Sequence, residues 1–163
     1  MTIRIEVSHR QEPSHQVLLD NAAALGVTGV TDCRVARLYF LAADPGADKI
    51  EQLCAMLLAD PVTERASWLT TATQSRESGN DGTVIEVAFR PGVTDIPARE
   101  LARGMVEIGL PPCEVATATR YELSSDLSEA DLHKLARGLL CNDTVEHYSL
   151  GPINPHFGEE AAA

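Results

Sequence analysis

Two arginines in the second half of the chain are the residues best suited to binding another molecule. Arg90 opens the run Arg-Pro-Gly-Val-Thr-Asp, which ends at Asp95, and Arg120 directly precedes Tyr121. A guanidinium held beside a Pro-Gly turn can bind a carboxylate or a phosphate through two parallel hydrogen bonds. Arginine and tyrosine are also frequent at the centres of protein interfaces. We predict a partner-binding surface centred on Arg90, Asp95, Arg120 and Tyr121. The alternative is that Arg90 only braces its turn by pairing with Asp95.

The sequence contains no motif for catalysis or for nucleotide binding. It has no glycine-rich phosphate loop and no Gly-x-Ser-x-Gly nucleophile elbow. The histidines are scattered, and the cysteines occur singly, without a Cys-x-x-Cys pair: Cys33, Cys54, Cys113 and Cys141. We therefore predict no catalytic residue, no cofactor and no metal site, and we expect the cysteines to be buried, reduced thiols.

Glu6 and Glu86 occupy equivalent positions in two similar segments, Arg-Ile-Glu-Val at 4–7 and Val-Ile-Glu-Val at 84–87. Paired carboxylates can perform acid–base chemistry. The favoured interpretation is that both lie on the solvated face of a sheet.

The elements that would position these residues occur twice along the chain. Leu-Leu-Ala-Asp-Pro-Val-Thr-Glu at 57–64 is echoed by Leu-Leu-Cys-Asn-Asp-Thr-Val-Glu at 139–146, an offset of 139 − 57 = 82 residues. The apolar positions Ile50, Leu53, Leu57 and Leu58 match Leu132, Leu135, Leu139 and Leu140 at the same offset. Alternating polarity predicts strands at 2–8, 33–41, 66–71, 83–89, 115–123 and 146–150, and helical periodicity predicts helices at 13–25, 47–59, 96–108 and 129–141.

Each half therefore reads β-α-β-α-β, which predicts an α+β fold. We expect two ferredoxin-like repeats, with antiparallel sheets, helices on one face and a pseudo-two-fold axis. The predicted division is repeat 1 at 1–72, a linker at 73–82, repeat 2 at 83–150 and a flexible tail at 151–163. Strand 3–8 should superpose on 84–89 and helix 47–59 on 129–141, with Leu57 and Leu139 equally buried.

Charge and hydropathy exclude several classes of function. The net charge is −11, from 13 basic and 24 acidic residues. Such a charge repels phosphate backbones, so we predict no nucleic-acid binding. No apolar run approaches the length of about 20 residues needed to cross a membrane. The charged, alternating N-terminus is not a signal peptide, and we expect a cytoplasmic protein without membrane contact.

The ordered set of motifs resembles the PurS family, the small subunit of phosphoribosylformylglycinamidine synthase. In the second half the resemblance rests on VIEVAFRPGVTD, IGL, RYEL and LLCNDTVEHY, and in the first half on RIEV, LGV, LYFL and LLADPVTE. Together these cover about residues 2–150. The first half departs at the turn from Arg10 to Pro13, which has no Pro-Gly.

The resemblance implies a non-catalytic assembly component of de novo purine biosynthesis. Members of that family bridge a glutaminase (PurQ-type) subunit and an ATP-dependent synthetase (PurL-type) subunit and support ammonia transfer. The enzyme would be a glutamine-hydrolysing amidoligase to which this chain contributes no catalytic residues of its own. A tandem copy looks like a covalent pseudo-dimer, and further self-association stays open, as does whether the chain is a subunit or an N-terminal domain.

Two alternatives remain open at this stage. A duplicated β-α-β-α-β unit could be a pair of ACT-like regulatory modules, which bind a small ligand beside glycine-containing strand–helix turns; only Gly92 supplies such a glycine here. A stand-alone enzyme with an unrecognised site is the third reading. If the docking surface lies in the first half instead, Arg10 and Arg37 are its expected centre.

Overall fold

Six strands form one open antiparallel sheet in a computed structural model that describes residues 2–70, 83–123 and 127–157. The strands are β1 (Ile3–His9), β2 (Cys33–Leu41), β3 (Glu64–Thr70), β4 (Thr83–Phe89), β5 (Val115–Leu123) and β6 (Glu146–Leu150). Their order across the sheet is β3-β1-β2-β5-β4-β6. Four α-helices lie within the described residues: α1 (Gln16–Ala24), α2 (Ala47–Leu53), α3 (Ile96–Glu107) and α4 (Glu129–Leu135). The prediction of an α+β fold is confirmed, and the arrangement is compatible with a ferredoxin-like fold.

The helices pack on one face of the sheet in two apolar clusters. The first joins Ile3, Ile5 and Val7 of β1 to residues of α2 and α3, and the second joins β4 to α4 and to the region around α1. Successive strand residues point to opposite faces, so β1 presents its isoleucines to the helices and Arg4 and Glu6 to the other side. The predicted placement of the helices on one face of the sheet is thus found.

Each cluster draws side chains from both halves of the sequence. Leu101 and Met105 of α3 pack with β1 and α2, while Ala22 of α1 packs with Leu135 and Leu140. Neither half therefore buries an apolar core by itself within the described residues. The predicted division into residues 1–72 and 83–150 stays a prediction, and the predicted linker at 73–82 lies outside the described residues.

Local sequence signals account for where the helices begin and end. Asp95 caps α3 by accepting a hydrogen bond from the Ala98 N–H at 3.0 Å, and Ser128 caps α4 through the Asp131 N–H at 3.1 Å. Gly26 and Gly109 follow α1 and α3 with φ angles of 90° and 86°, the left-handed conformation that ends a helix at little cost for glycine. The residue types at these four positions thus set the helix boundaries locally.

The helices α2 and α4 each run into a π-helical turn, Cys54–Leu58 and Ala136–Leu140. Each turn closes with a five-residue backbone hydrogen bond, from the Ala59 N–H to Cys54 O and from the Cys141 N–H to Ala136 O. The wider turn brings residues five apart onto one face, so Leu53 and Leu58 are both buried. Leu57 is rotated outward and is 41% exposed, whereas Leu139 is half-buried. The prediction that Leu57 and Leu139 are equally buried is therefore wrong.

The face of the sheet opposite the helices is partly covered by the segment that follows β6. Ile153 is buried against Leu38, Phe40, Ala116 and Ala118, and Phe157 packs on the same cluster. The flexible tail predicted at 151–163 stays a prediction. Within it, Ile153 and Phe157 contact the sheet, and residues 158–163 lie outside the described part. Among the described residues, no helix is both long enough and apolar enough to cross a bilayer.

Candidate functional site

The turn after β4 is built from the run Arg90 to Val93. The Val93 N–H donates to Arg90 O at 3.0 Å, and Gly92 has a φ angle of 86°. A four-residue turn with proline second and a positive φ at its third residue requires glycine there, because a Cβ atom would strain that backbone. The sequence Arg-Pro-Gly-Val thus favours this turn by local backbone preferences and puts Arg90 at its first position.

Arg90 ties this turn to the loop before β6. Its Nε donates to Asp143 O at 2.8 Å and its Nη2 to Asp143 Oδ1 at 3.0 Å, while the Arg90 N–H donates to Val145 O at 2.9 Å. The alternative in which Arg90 pairs with Asp95 is therefore not what the geometry shows. Both partners of this ion pair are well exposed, so the pair itself adds little stability and its guanidinium borders solvent.

The loop that receives Arg90 has the same hydrogen bonds as its counterpart in the first half. Asn142 N–H donates to Glu146 Oε1 at 2.9 Å, and Asp60 N–H donates to Glu64 Oε1 at 3.0 Å. The side chains of Asn142 and Asp60 accept from the N–H two residues later, at 3.2 and 2.8 Å. The similarity of residues 57–64 and 139–146 is thus a shared way of turning from a helix into an edge strand.

The turn of the first half reaches its partner loop through one matching backbone bond. The Arg10 N–H donates to Thr63 O at 2.8 Å, as the Arg90 N–H does to Val145 O. The side chain of Arg10 forms no ion pair among the described residues, whereas Arg37 is held by Glu64 Oε2 and Leu58 O. The divergent sequence from Arg10 to Pro13 therefore keeps the backbone contact and loses the arginine clamp.

Asp95 fastens the start of α3 to the sheet. Besides capping the helix, its Oδ2 accepts from the Thr117 N–H at 2.8 Å and its Oδ1 from the Thr117 hydroxyl at 2.8 Å. In the first half Glu12 takes this place, since its Oε1 accepts from the Val35 N–H at 3.0 Å. Asp95 is thus half-buried and occupied by structural bonds, beside the exposed Arg90.

Arg120 belongs to a buried charge network on the face away from the helices. Its Nη1 donates to Glu86 Oε2 at 2.7 Å. Arg4 donates to both carboxylate oxygens of Glu86, at 2.7 Å from Nη1 to Oε1, and the Ile153 N–H donates to Oε1 at 2.9 Å. Glu86 has no exposed surface, so the expectation that it is solvated is wrong; Glu6 is half-buried and makes no ion pair among the described residues.

The electrostatics of Glu86 follow from this arrangement. Burial by itself raises the pKa of a carboxyl group, but the hydrogen bonds and charge of Arg4, the Ile153 N–H and the Arg120 bond outweigh it and hold the pKa of Glu86 below its usual value. Glu86 is thus an anion that receives four donors. It is a structural anchor and has no free lone pair aimed at solvent for acid–base chemistry.

Tyr121 lies on the opposite face of β5 from Arg120. It packs with the second helical cluster and lines an open, largely apolar cleft with Leu18, Leu139 and Leu140. The four predicted site residues therefore divide: Arg90 and Asp95 share the turn after β4, Arg120 faces away from the helices, and Tyr121 faces them. Their role in binding a partner stays a prediction.

Three of the four cysteines are buried, as expected: Cys33, Cys54 and Cys141. Cys113 is only half-buried, so the expectation fails there. Burial, followed by nearby carboxylates, raises the pKa of the Cys33 thiol to about 12, and burial with Glu51 raises that of Cys54 to about 11. Such thiols stay protonated at neutral pH and are poor nucleophiles. Across residues 2–70, 83–123 and 127–157, no group of three or more His, Cys, Asp or Glu side chains could hold a metal ion.

Sequence reasoning missed the network around Glu86, although one signal for it was present. Ala36, Leu38 and Phe40 alternate with Val35, Tyr39 and Leu41, so β2 is largely apolar on both faces, with Arg37 as the one charged interruption between Val35 and Tyr39. A strand that is apolar on both faces indicates that both faces are covered. Charged residues of neighbouring strands on the face away from the helices would then be buried and would have to pair with one another.

No protein-family model matches this chain, and no curated protein matches it significantly.

Proposed function

We propose that the chain is a tandem PurS-like assembly component of phosphoribosylformylglycinamidine synthase, which bridges its glutaminase and its ATP-dependent synthetase and supports ammonia transfer. One observation carries the proposal: the motifs that resemble the PurS family occur twice in the same order and make corresponding contacts in both halves. The strand–helix turn contacts the helix–strand loop through Arg10 with Thr63 and through Arg90 with Val145. A duplicated unit of one family accounts for that correspondence.

The topology supports a covalent pseudo-dimer. The strand order across the sheet is β3-β1-β2-β5-β4-β6, with β2 and β5 paired at the centre. If β1, β2 and β3 are exchanged with β4, β5 and β6, the order is the same when it is read from the opposite edge. The π-helical turns also fall 82 residues apart. A two-fold axis would pass through the pairing of Arg37 with Thr119, where the central strands meet.

The surroundings of the turns favour docking over catalysis. Arg90 is exposed beside a rigid turn, and arginines presented by loops on a firm scaffold commonly make partner contacts. The space beside Gly92 has a volume of about 30 Å³, room for about two water molecules. That volume is too small for the amino acid that an ACT-like module would bind at this turn.

A cytoplasmic location belongs to this proposal. The four cysteines are all unpaired thiols, as is usual in a reducing compartment. De novo purine synthesis would place the chain there together with its partner subunits.

The proposal predicts a division of labour that can be measured. The synthetase and glutaminase subunits should form product from glutamine only when this chain is added, whereas free ammonia should support the synthetase without it. The chain alone should turn over neither glutamine nor ATP. Glutamine-dependent synthesis at full rate without the chain would refute the proposal.

The docking surface is tested with the same two subunits, by measuring their association with variants of this chain. Arg90→Ala should weaken association with the two subunits, since Arg90 is the exposed cation of the family-like turn. Arg99→Ala, an exposed arginine of α3 with no ion pair among the described residues, is the matched control. Equal affinity of both variants would move the docking surface away from the turn after β4.

A further inference from the structure

The face of the sheet away from the helices has two depressions with small residues at their floors. One depression is covered by the segment after β6, and the other is open. In the second half Ala88 and Ala118 are neighbours across β4 and β5, and they pack in one cluster with Ile153 and Phe157. In the first half Ser8 and Ala36 are neighbours across β1 and β2. No described segment covers Ser8 and Ala36, and a cleft of about 190 Å³ opens above them.

Arginines form the walls of the uncovered cleft. The strand register places Arg65 opposite Ser8 and Arg120 opposite Ala36, so the four residues form one row on the same face. Neighbouring strands lie about 4.8 Å apart, which puts the backbones of Arg65 and Arg120 about 14 Å apart across the floor. Arg34 and Arg10 line the cleft one row further along. Side chains of this length can reach a common centre from both walls.

Most of these guanidiniums have no partner of their own. Arg10, Arg34 and Arg65 form no ion pair and no side-chain hydrogen bond among the described residues, and Arg120 uses only Nη1, toward Glu86. The Nε of Arg120 is buried without an acceptor. Four of the 13 basic residues of a chain with a net charge of −11 thus converge on one concavity. Like charges so close repel one another, and a bound anion relieves that repulsion.

The carboxylates of the cleft do not neutralise it. Glu12 is engaged by His15 and by the Val35 N–H. Among the described residues, Glu6 and Glu122 form no ion pair with any arginine of the cleft. Arg120 is already paired with Glu86, and Glu12 is bonded to His15. Three unpaired arginines therefore face two unpaired glutamates, Glu6 and Glu122, and the cleft is locally positive in an acidic protein. Free carboxylates beside free guanidiniums suit a ligand that carries an anionic group together with hydrogen-bond donors.

We propose that this cleft binds a phosphoryl group. Phosphate presents several acceptor oxygens and close to two negative charges, which matches several planar guanidiniums better than a single carboxylate does. The Ser8 hydroxyl adds a donor at the floor, and Glu6 and Glu122 accept from hydroxyl or amino groups on the body of the ligand. The site needs no partner subunit, so it stands or falls independently of the role in assembly.

The test is titration of the full chain with inorganic phosphate and with glycerol 3-phosphate at low ionic strength, followed by calorimetry and by amide chemical shifts. We expect saturable binding with a dissociation constant on the order of 1 mM or below. The shifts should centre on Ser8 and Ala36, and acetate should not reproduce them. Tighter binding of glycerol 3-phosphate assigns the site to phosphate esters, and equal binding assigns it to free phosphate.

Variants distinguish a specific phosphate-binding site from non-specific electrostatic attraction of anions. Arg65→Gln and Arg34→Gln, both at exposed positions, should each weaken phosphate binding by about tenfold or more, the worth of a charge-assisted hydrogen bond. Arg99→Gln on the helical side should bind as the parent chain does. The thermal midpoint of each variant without ligand checks that it is folded. Absence of saturation, or equal loss in all three variants, would overturn the proposal.

Discussion

Glu86 holds together three parts of the molecule that are far apart in sequence. Its carboxylate receives Arg4 from β1, Arg120 from β5 and the backbone of Ile153 from the segment after β6. The guanidinium of Arg4 reaches it by lying across Phe40, 5.7 Å from the centre of that ring. Because burial removes water from Glu86 and from nearly all of Arg4, loss of a partner would leave a buried charge without compensation.

Removing Glu86 should therefore destabilise the protein strongly. We expect Glu86→Ala to lower the free energy of unfolding at pH 7 by about 3–5 kcal/mol, since two guanidiniums would be left near each other without a counter-charge. Glu6→Ala, at the corresponding position of β1 but without an ion pair, should cost less than about 1 kcal/mol. Urea unfolding of both variants makes the comparison. Equal losses would mean that the network contributes no more than a half-buried carboxylate without an ion pair.

The same residue predicts the direction of the pH dependence. The pKa of Glu86 is lower in the folded chain than the ordinary glutamate value of about 4.3 that it has when unfolded. Its contribution to stability is thus fully present above that pH and is lost as the pH falls through the folded pKa. In Glu86→Gln the loss of stability on acidification should be shallower than in the parent chain, and parallel curves would contradict the assignment.

At the scale of elements, the π-helical turns decide which leucines face the core. An α-helix over residues 47–59 would bury Leu57 with Leu53 and Ile50, as the spacing suggested. The five-residue turn instead aligns Leu58 with Leu53, and Leu57 lies over the surface of α3, where a Cβ at Gly104 would come within 3.1 Å of its Cδ1. The glycine in α3 thus makes room for a leucine at the helix surface.

Two substitutions test which of the leucines Leu57 and Leu58 faces the core. Leu58→Ala should cost about 2–5 kcal/mol of unfolding free energy, because it leaves a cavity in the first helical cluster. Leu57→Ala, one residue away, should cost about 1 kcal/mol or less, because much of that side chain already meets solvent. Chemical denaturation of the two variants measures the difference. A larger loss at Leu57 than at Leu58 would restore the α-helical register and contradict the π-helical turn.

At the scale of the whole molecule, the helices α1 and α3 each cross to the cluster of the other half. The second cluster contains Ala22 and Val27 from the first half with Leu135 and Leu140 from the second. The central strands β2 and β5 add nine register pairs across the boundary. The two halves are therefore interlocked and share the burial that each would need to fold.

Separating the halves should expose this dependence. We expect neither residues 1–72 nor residues 83–163 to form a folded monomer alone. Each piece would leave its central strand unpaired on one side and part of its apolar cluster uncovered. Mixed in equal amounts, the two pieces should assemble into a 1:1 complex with the circular dichroism of the intact chain. Analytical ultracentrifugation and spectroscopy decide the matter, and a stable folded monomer of either piece would contradict the shared core.

The sequence by itself determined the order of the elements and several of their ends. Alternation at Ile3, Ile5 and Val7, the cap at Asp95 and the stops at Gly26 and Gly109 act over a few residues, so their patterns are readable along the chain. The same holds for the turn at Arg90, because proline and glycine restrict the backbone directly. The α+β class followed from the order of those elements.

Only the tertiary structure decided which charges are buried and which residues meet. Glu6 and Glu86 have the same local pattern, yet Glu86 is enclosed because Arg4, Arg120 and the segment around Ile153 converge on it from distant parts of the chain. Arg120 and Tyr121 are adjacent in sequence but lie on opposite faces of the sheet, since strand geometry alternates side chains. The cleft over Ser8 and Ala36 likewise depends on the pairing of three strands. Such contacts are set by long-range register, which local sequence patterns do not encode.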